Sequence, residues 1–173
     1  MIELDNLVLS SLRNLAISSL WGARTATGHR ISTSRTFGPQ DEISAYFLSV
    51  ANLTKYLRMS SPPTISRKEE PTIRDPRTTA AILNGCAASN LGALQNALAW
   101  NFAIFADLST VRNFYAHRND DTYRKVRNKA ASMGVLGLSH PDMLVTKRIA
   151  NRSVTLFEDW LDETELFFEE ATK

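Results

Sequence analysis

Apolar residues recur at helical spacing from the first turn of the chain. Leu4, Leu7, Val8, Leu12 and Leu15 fall on one stripe and predict a helix from about residue 3 to 20. A polar stretch carrying Gly and Thr follows, with no apolar period. Pro39 and the acidic pair Asp41 and Glu42 then suit a helix start and predict a second helix from about Gln40 to Met59. Residues 60–76 hold Pro62, Pro63, Pro71 and Pro76 among charges, which predicts a long Pro-rich surface connection. From Arg77 the pattern is helical again, with Asn84-Gly85 or Ser89-Asn90 as breaks. Ala, Leu and aromatic residues accumulate from Gly92 to Phe105, the candidate central core. Ile104, Leu108, Val111 and Tyr115 are then spaced for a helix buried along one seam, and Asp107 either caps a fresh helix or lies inside one that runs through it. Asp120 and Asp121 punctuate before a basic helix, Gly134 to Pro141 form a loop, and about Asp142 to Ala171 make a final helix or helix pair. No strand-like alternation and no internal repeat stands out. The predicted fold class is all-α, an irregular multi-helix bundle.

Composition narrows this to one domain over 1–173. A chain of 173 residues buries one core and is short for two ordinary domains, and 43% hydrophobic with 22% charged residues is a globular balance. The lone Cys86 excludes an internal disulfide and suits a small core position in a reducing compartment. His29, His117 and His140 are scattered, with no cysteine or carboxylate at ligand spacing, so no metal site is expected. Neither GxxxxGK[ST] nor GxGxxG occurs, so no cofactor is expected. Glu3 and Asp5 near the start do not resemble a basic leader, and the longest apolar run, Ala97 to Ala106, is interrupted by Asn101 and too short to span a bilayer. A cytoplasmic protein with no membrane partner is expected.

The candidate chemistry lies on the seam helix. Arg112 and His117 place a permanent cation and an imidazole five residues apart. Arg forks onto phosphate oxygens, and His is the side chain whose ordinary pKa lets it both take and give a proton near neutrality. At about 100° per residue, Arg112, Ala116, Asn113 and His117 spread over roughly 140° of one face, with an axial offset of about 7 to 8 Å between the charged pair. Arg24 and His29 repeat the spacing, but in the polar, Gly-bearing stretch where nothing fixes the two side chains relative to one another. They serve as an internal decoy.

The string from Leu108 to Asn119, Leu-Ser-Thr-Val-Arg-Asn-Phe-Tyr-Ala-His-Arg-Asn, resembles the signature of the HEPN superfamily. There an Arg, a polar residue, three variable residues and a His close one helix of an all-helical domain. Arg112, Asn113 and His117 match it one for one, and the compact layout is similar to RiboL-PSP-like HEPN proteins of prokaryotic defence loci. The resemblance implies a HEPN-type bundle and a metal-independent endoribonuclease acting as a toxin or defence effector. It also implies a homodimer with facing motifs, and a possible antitoxin or other defence-system partner. A branch silenced through a Tyr two residues after the motif His has no counterpart here, where Asn119 occupies that position.

Charge is nearly balanced, at a net +2, but unevenly distributed. Arg118, Arg124, Lys125, Arg127 and Lys129 follow the motif, with Lys147, Arg148 and Arg152 beyond, whereas the C-terminal segment is acidic. The basic stretch is a candidate RNA guide and equally a solvated helix face. Tyr115 and Tyr123 are candidates for base stacking, although Tyr115 falls on the seam and suits the core. In the catalytic reading His117 moves protons, Arg112 holds phosphate oxygens and Asn113 supports them. The alternatives are a non-catalytic HEPN module that binds RNA or a partner protein, and a helical interaction protein in which the motif is coincidental.

Overall fold

Buried apolar side chains at helical intervals organise the chain into helices joined by loops, with no strand among the described residues. The computed structural model describes residues 1–59, 65, 67–148 and 153–173. Pro62 and Pro63 of the connection and Arg152 of the basic stretch lie outside them. The helices are α1 (Ile2–Leu20), α2 (Gln40–Ala51), α3 (Leu53–Leu57), α4 (Pro76–Gly85), α5 (Leu91–Ala99), α6 (Ile104–His117), α7 (Asp120–Ser132), α8 (Asp142–Val145) and α9 (Leu156–Ala171). The fold is all-α. Isolated bridges pair Arg24 with Arg30 and Arg148 with Thr155. No helix among the described residues is long and apolar enough to cross a membrane.

The chain divides into two compact units. One comprises residues 1–8 and 101–167, the other residues 9–100 and 168–173. The second unit buries Leu12, Leu15, Ile17 and Leu20 of α1, Ile43, Phe47 and Leu48 of α2, and Ile82 and Leu83 of α4. Cys86 is buried just beyond α4, its thiol against the carbonyls of Ile82 and Leu83. Burial pushes that thiol up from its ordinary value. The 60–76 connection carries anchors of its own, since Ile65 and Ile73 are buried, Ile65 in a cluster with Ala45 and Leu48. Glu70 receives Arg13 through two nitrogens, at 2.6 and 2.9 Å, and Ser44 Oγ at 2.8 Å. This bidentate pairing ties the connection to α1 and α2 with defined geometry. The expected single helix from 40 to 59 is instead two, because Asn52 leaves helical geometry and its side chain caps α3 by accepting from the Lys55 N–H.

The first unit carries the motif. Leu4 and Val8 of α1 are buried, while Leu7, expected on the same stripe, is half exposed. Ile104, Leu108 and Val111 of α6 are buried along the seam, and α6 packs against α7 through the face of Val126 and Ala130. Trp160 and Phe167 of α9 are fully buried, Phe167 meeting Phe105 with ring centroids 4.6 Å apart. α6 begins before Asp107. Its first N–H groups are capped from afar by Glu163, which accepts from Ile104 at 2.8 Å and Ala103 at 3.2 Å.

Burial raises the Glu163 carboxyl above its ordinary value, the two N–H bonds opposing the shift and the charges of Asp159 and Asp107 adding to it. The folded protein therefore binds this proton more tightly than the unfolded chain. Stability from this group is fully present below the unfolded carboxyl pKa and is lost as pH rises from there through the raised folded value. In urea titrations the wild type should gain stability relative to Glu163→Gln as pH falls from neutrality toward the ordinary carboxyl pKa. A difference that does not vary with pH, or that varies in the opposite sense, would show that Glu163 is not held in this way.

Candidate functional site

α6 is fourteen residues long and ends abruptly. Arg118 takes the left-handed conformation (φ 43°, ψ 48°) and its N–H returns to the Phe114 carbonyl. Asn119 then caps α7, accepting from the Thr122 N–H while Thr122 Oγ1 accepts from the Asn119 N–H. The position that carries a Tyr in one branch of the resembling superfamily thus serves here to start a helix. This turn leaves His117 in the last turn of α6, exposed and without a hydrogen bond or ion pair among the described residues.

Arg112 is differently placed. Its Nε lies 3.3 Å from Oδ2 of Asp5, a carboxylate that is 5% exposed, and Nη1 donates to Oδ1 of Asn113 at 3.3 Å. The Nε contact is at ion-pair distance but not aligned for a hydrogen bond. Asp5 of α1 therefore stands against one side of the guanidinium, and Asn113 accepts from Nη1 on another. Arg112, Asn113 and His117 share one helix, with Arg112 half buried and the other two exposed.

The basic stretch divides. Lys129 is not part of an open cationic face, because its Nζ lies 2.5 Å from Oδ1 of Asp107, which is 5% exposed. Arg124 and Lys125 both pair with the exposed Asp121, at 2.8 and 2.7 Å, and these two cations hold its carboxyl below the ordinary range. Arg118 and Arg127 are exposed. Tyr115 is half buried rather than core, and its hydroxyl donates to Oδ1 of Asp142. Burial and that carboxylate raise the phenol well above its ordinary value, so Tyr115 stays a neutral donor. Tyr123 donates to the Leu138 carbonyl, so its hydroxyl is occupied.

One grouping was not foreseen. His140 stands edge-on to Phe114, with centroids 5.8 Å apart, and its Nδ1 lies 3.1 Å from Oδ2 of Asp142 and 3.2 Å from the Asp142 N–H. Phe114 also meets Tyr115 and Tyr123 at 5.6 and 6.2 Å. A second imidazole and a carboxylate therefore gather around α6 on the motif's own turn. The His140-Pro141-Asp142 spacing was the available signal. The decoy behaves as a loop, in which the Thr25 N–H bonds the His29 carbonyl at 2.8 Å, Gly28 has φ 87°, and Arg24 Nη1 donates to the Gly28 carbonyl. Among the described residues no group of three His, Cys, Asp or Glu side chains could hold a metal ion.

The chain matches none of the protein-family models, curated proteins or solved structures with which it was compared. The ion pair of Arg112 with a buried acid has a measurable consequence. Arg112→Ala removes this cation from beside Asp5 and should destabilise by about 1–3 kcal/mol, below the full cost of a broken buried pair because Arg112 is partly exposed. Combining it with Asp5→Asn should recover part of the loss, whereas His117→Ala should change stability by less than about 0.5 kcal/mol. Additive effects of the Asp5 and Arg112 changes in urea denaturation would contradict the coupling.

Proposed function

We propose that this protein is a metal-independent endoribonuclease of HEPN type, a toxin or defence effector working as a homodimer with facing motifs. The observation that carries the reading is the pairing, on one short helix, of an exposed His117 with an Arg112 whose guanidinium is already oriented by Asp5. RNA brings its own nucleophile, so the protein has to position the strand, move protons and stabilise charge on phosphorus. His117 of one subunit takes the proton of the 2′-hydroxyl, whose oxygen forms a bond to phosphorus. The bond from phosphorus to the 5′-oxygen breaks, and His117 of the twin subunit gives that oxygen its proton. Asp5 stands at Nε of Arg112 and Asn113 accepts from Nη1, and the guanidinium so placed holds the non-bridging phosphate oxygens. The exposed small side chain of Ala116 and the half-exposed Ser109 suit close approach of the twin α6.

A second reading, a non-catalytic module that binds RNA or a protein, gains support from the charge census. Lys129, Arg124 and Lys125 all have carboxylate partners, which leaves a smaller cationic face than the sequence suggested.

Cleavage of single-stranded RNA by the purified chain in EDTA separates the two. The wild type and His29→Ala should cleave alike, His117→Ala should lose activity by at least about a hundredfold, and Ala116→Glu should lose self-association in sedimentation together with cleavage. Equal cleavage by the His117→Ala protein would remove the catalytic reading and leave the binding module.

A further inference from the structure

A cavity of about 510 Å³ opens within the first unit beside the end of α6. Its size is that of a small-molecule site, roughly 300–1,000 Å³. Tyr115 and Phe157 supply half-buried aromatic rings, and Ile2 and Val145 supply aliphatic wall. Two charged side chains line it, Glu3 from the first turn of α1 and Arg118.

Two features indicate that the cavity is built rather than incidental. The Tyr115 ring is fixed edge-on against Phe114 and by its hydroxyl bond to Asp142, so one wall is set before anything enters. Arg118 holds the left-handed position that closes α6, where glycine is the usual occupant, and does so against backbone strain.

We propose that this cavity binds a guanine base of single-stranded RNA, an inference that rests on the RNA-cleaving reading of the adjoining His117. A flat heteroaromatic ring suits the Tyr115 and Phe157 walls. Glu3 offers a carboxylate, which accepts best from a pair of neighbouring N–H donors. Among the RNA bases guanine presents that pair, N1–H and the N2 amino group, on its Watson–Crick edge. Adenine and cytosine each place a ring acceptor beside the amino group, which a carboxylate repels, and uracil offers a single N–H between carbonyls. Arg118 forks onto the attached phosphate, one residue from His117. The pocket would thereby choose the nucleotide presented to the reaction.

Calorimetric titration with the 3′-monophosphates of guanosine, adenosine and cytidine tests the cavity directly, with RNA cleavage measured separately on the same preparations. Guanosine 3′-monophosphate should bind at least about tenfold more tightly than the other two. Glu3→Gln should remove most of that preference. Arg118→Gly, which also relieves the backbone, should weaken the monophosphate while leaving free guanosine unchanged. Phe157→Ala should weaken all of them; should it fail to fold by circular dichroism, the Glu3 and Arg118 changes carry the test. Wild-type protein that binds the three alike, or none, overturns the proposal. Guanine-selective binding without RNA cleavage would keep the cavity and remove the nuclease reading, whereas cleavage without nucleotide preference would remove the cavity alone.

Discussion

Two buried carboxylates set the terms on which the motif-bearing unit folds. Asp5 of α1 and Asp107 of α6 are each about one-twentieth exposed, and an ionised carboxylate removed from water is expensive unless a cation and hydrogen bonds replace its hydration. Arg112 answers Asp5 and Lys129 answers Asp107. The first pair fastens α6 to the opening turns of α1, and the second fastens α7 to α6. Arg112 therefore belongs to the fold before it belongs to any reaction. Its guanidinium is pre-oriented by the buried acid beside it, and a group held in this way loses little freedom on meeting a phosphate.

The end of α6 shows how local backbone chemistry places the remaining parts. A left-handed Arg118 followed at once by the Asn119 capping box stops one helix and starts the next with hardly any linker. His117 is left in the final turn and faces solvent, while Phe114 and Tyr115, three and two residues earlier, turn toward His140 and Asp142. Imidazole, guanidinium, phenol and carboxylate are thus collected around little more than one helical turn.

Much of this was legible in the residues. The apolar seam of Ile104, Leu108 and Val111 is buried as its spacing required, Cys86 is a core thiol, and the Arg24 and His29 stretch is a loop. The roles of the acids were missed although a signal existed. Asp5 lies three and seven residues before Val8 and Leu12, and Asp107 lies three after Ile104 and four before Val111, so both occupy seam positions where a charge demands a partner. Which cation answers each acid was not readable. Lys129 is separated from Asp107 by a helix end and a cap, and Arg112 lies more than a hundred residues from Asp5. For the same reason the start of α6 was left open, because its cap, Glu163, comes from a distant helix. The break at Asn52 turned on one side chain preferring the Lys55 N–H to a continuing helix, a local competition that apolar periodicity does not register.

In the proposed reaction strand scission uses the RNA's own 2′-hydroxyl at the end of α6. The most direct measurement is end-group analysis of a single-stranded RNA cut by the purified protein in the presence of EDTA, beside the same strand made 2′-deoxy at the cut position. The proposed reaction should yield a 2′,3′-cyclic phosphate and a 5′-hydroxyl from the first strand and no cleavage at that position in the second. Products ending in 5′-phosphate, or cleavage that ignores the deoxy substitution, would contradict it.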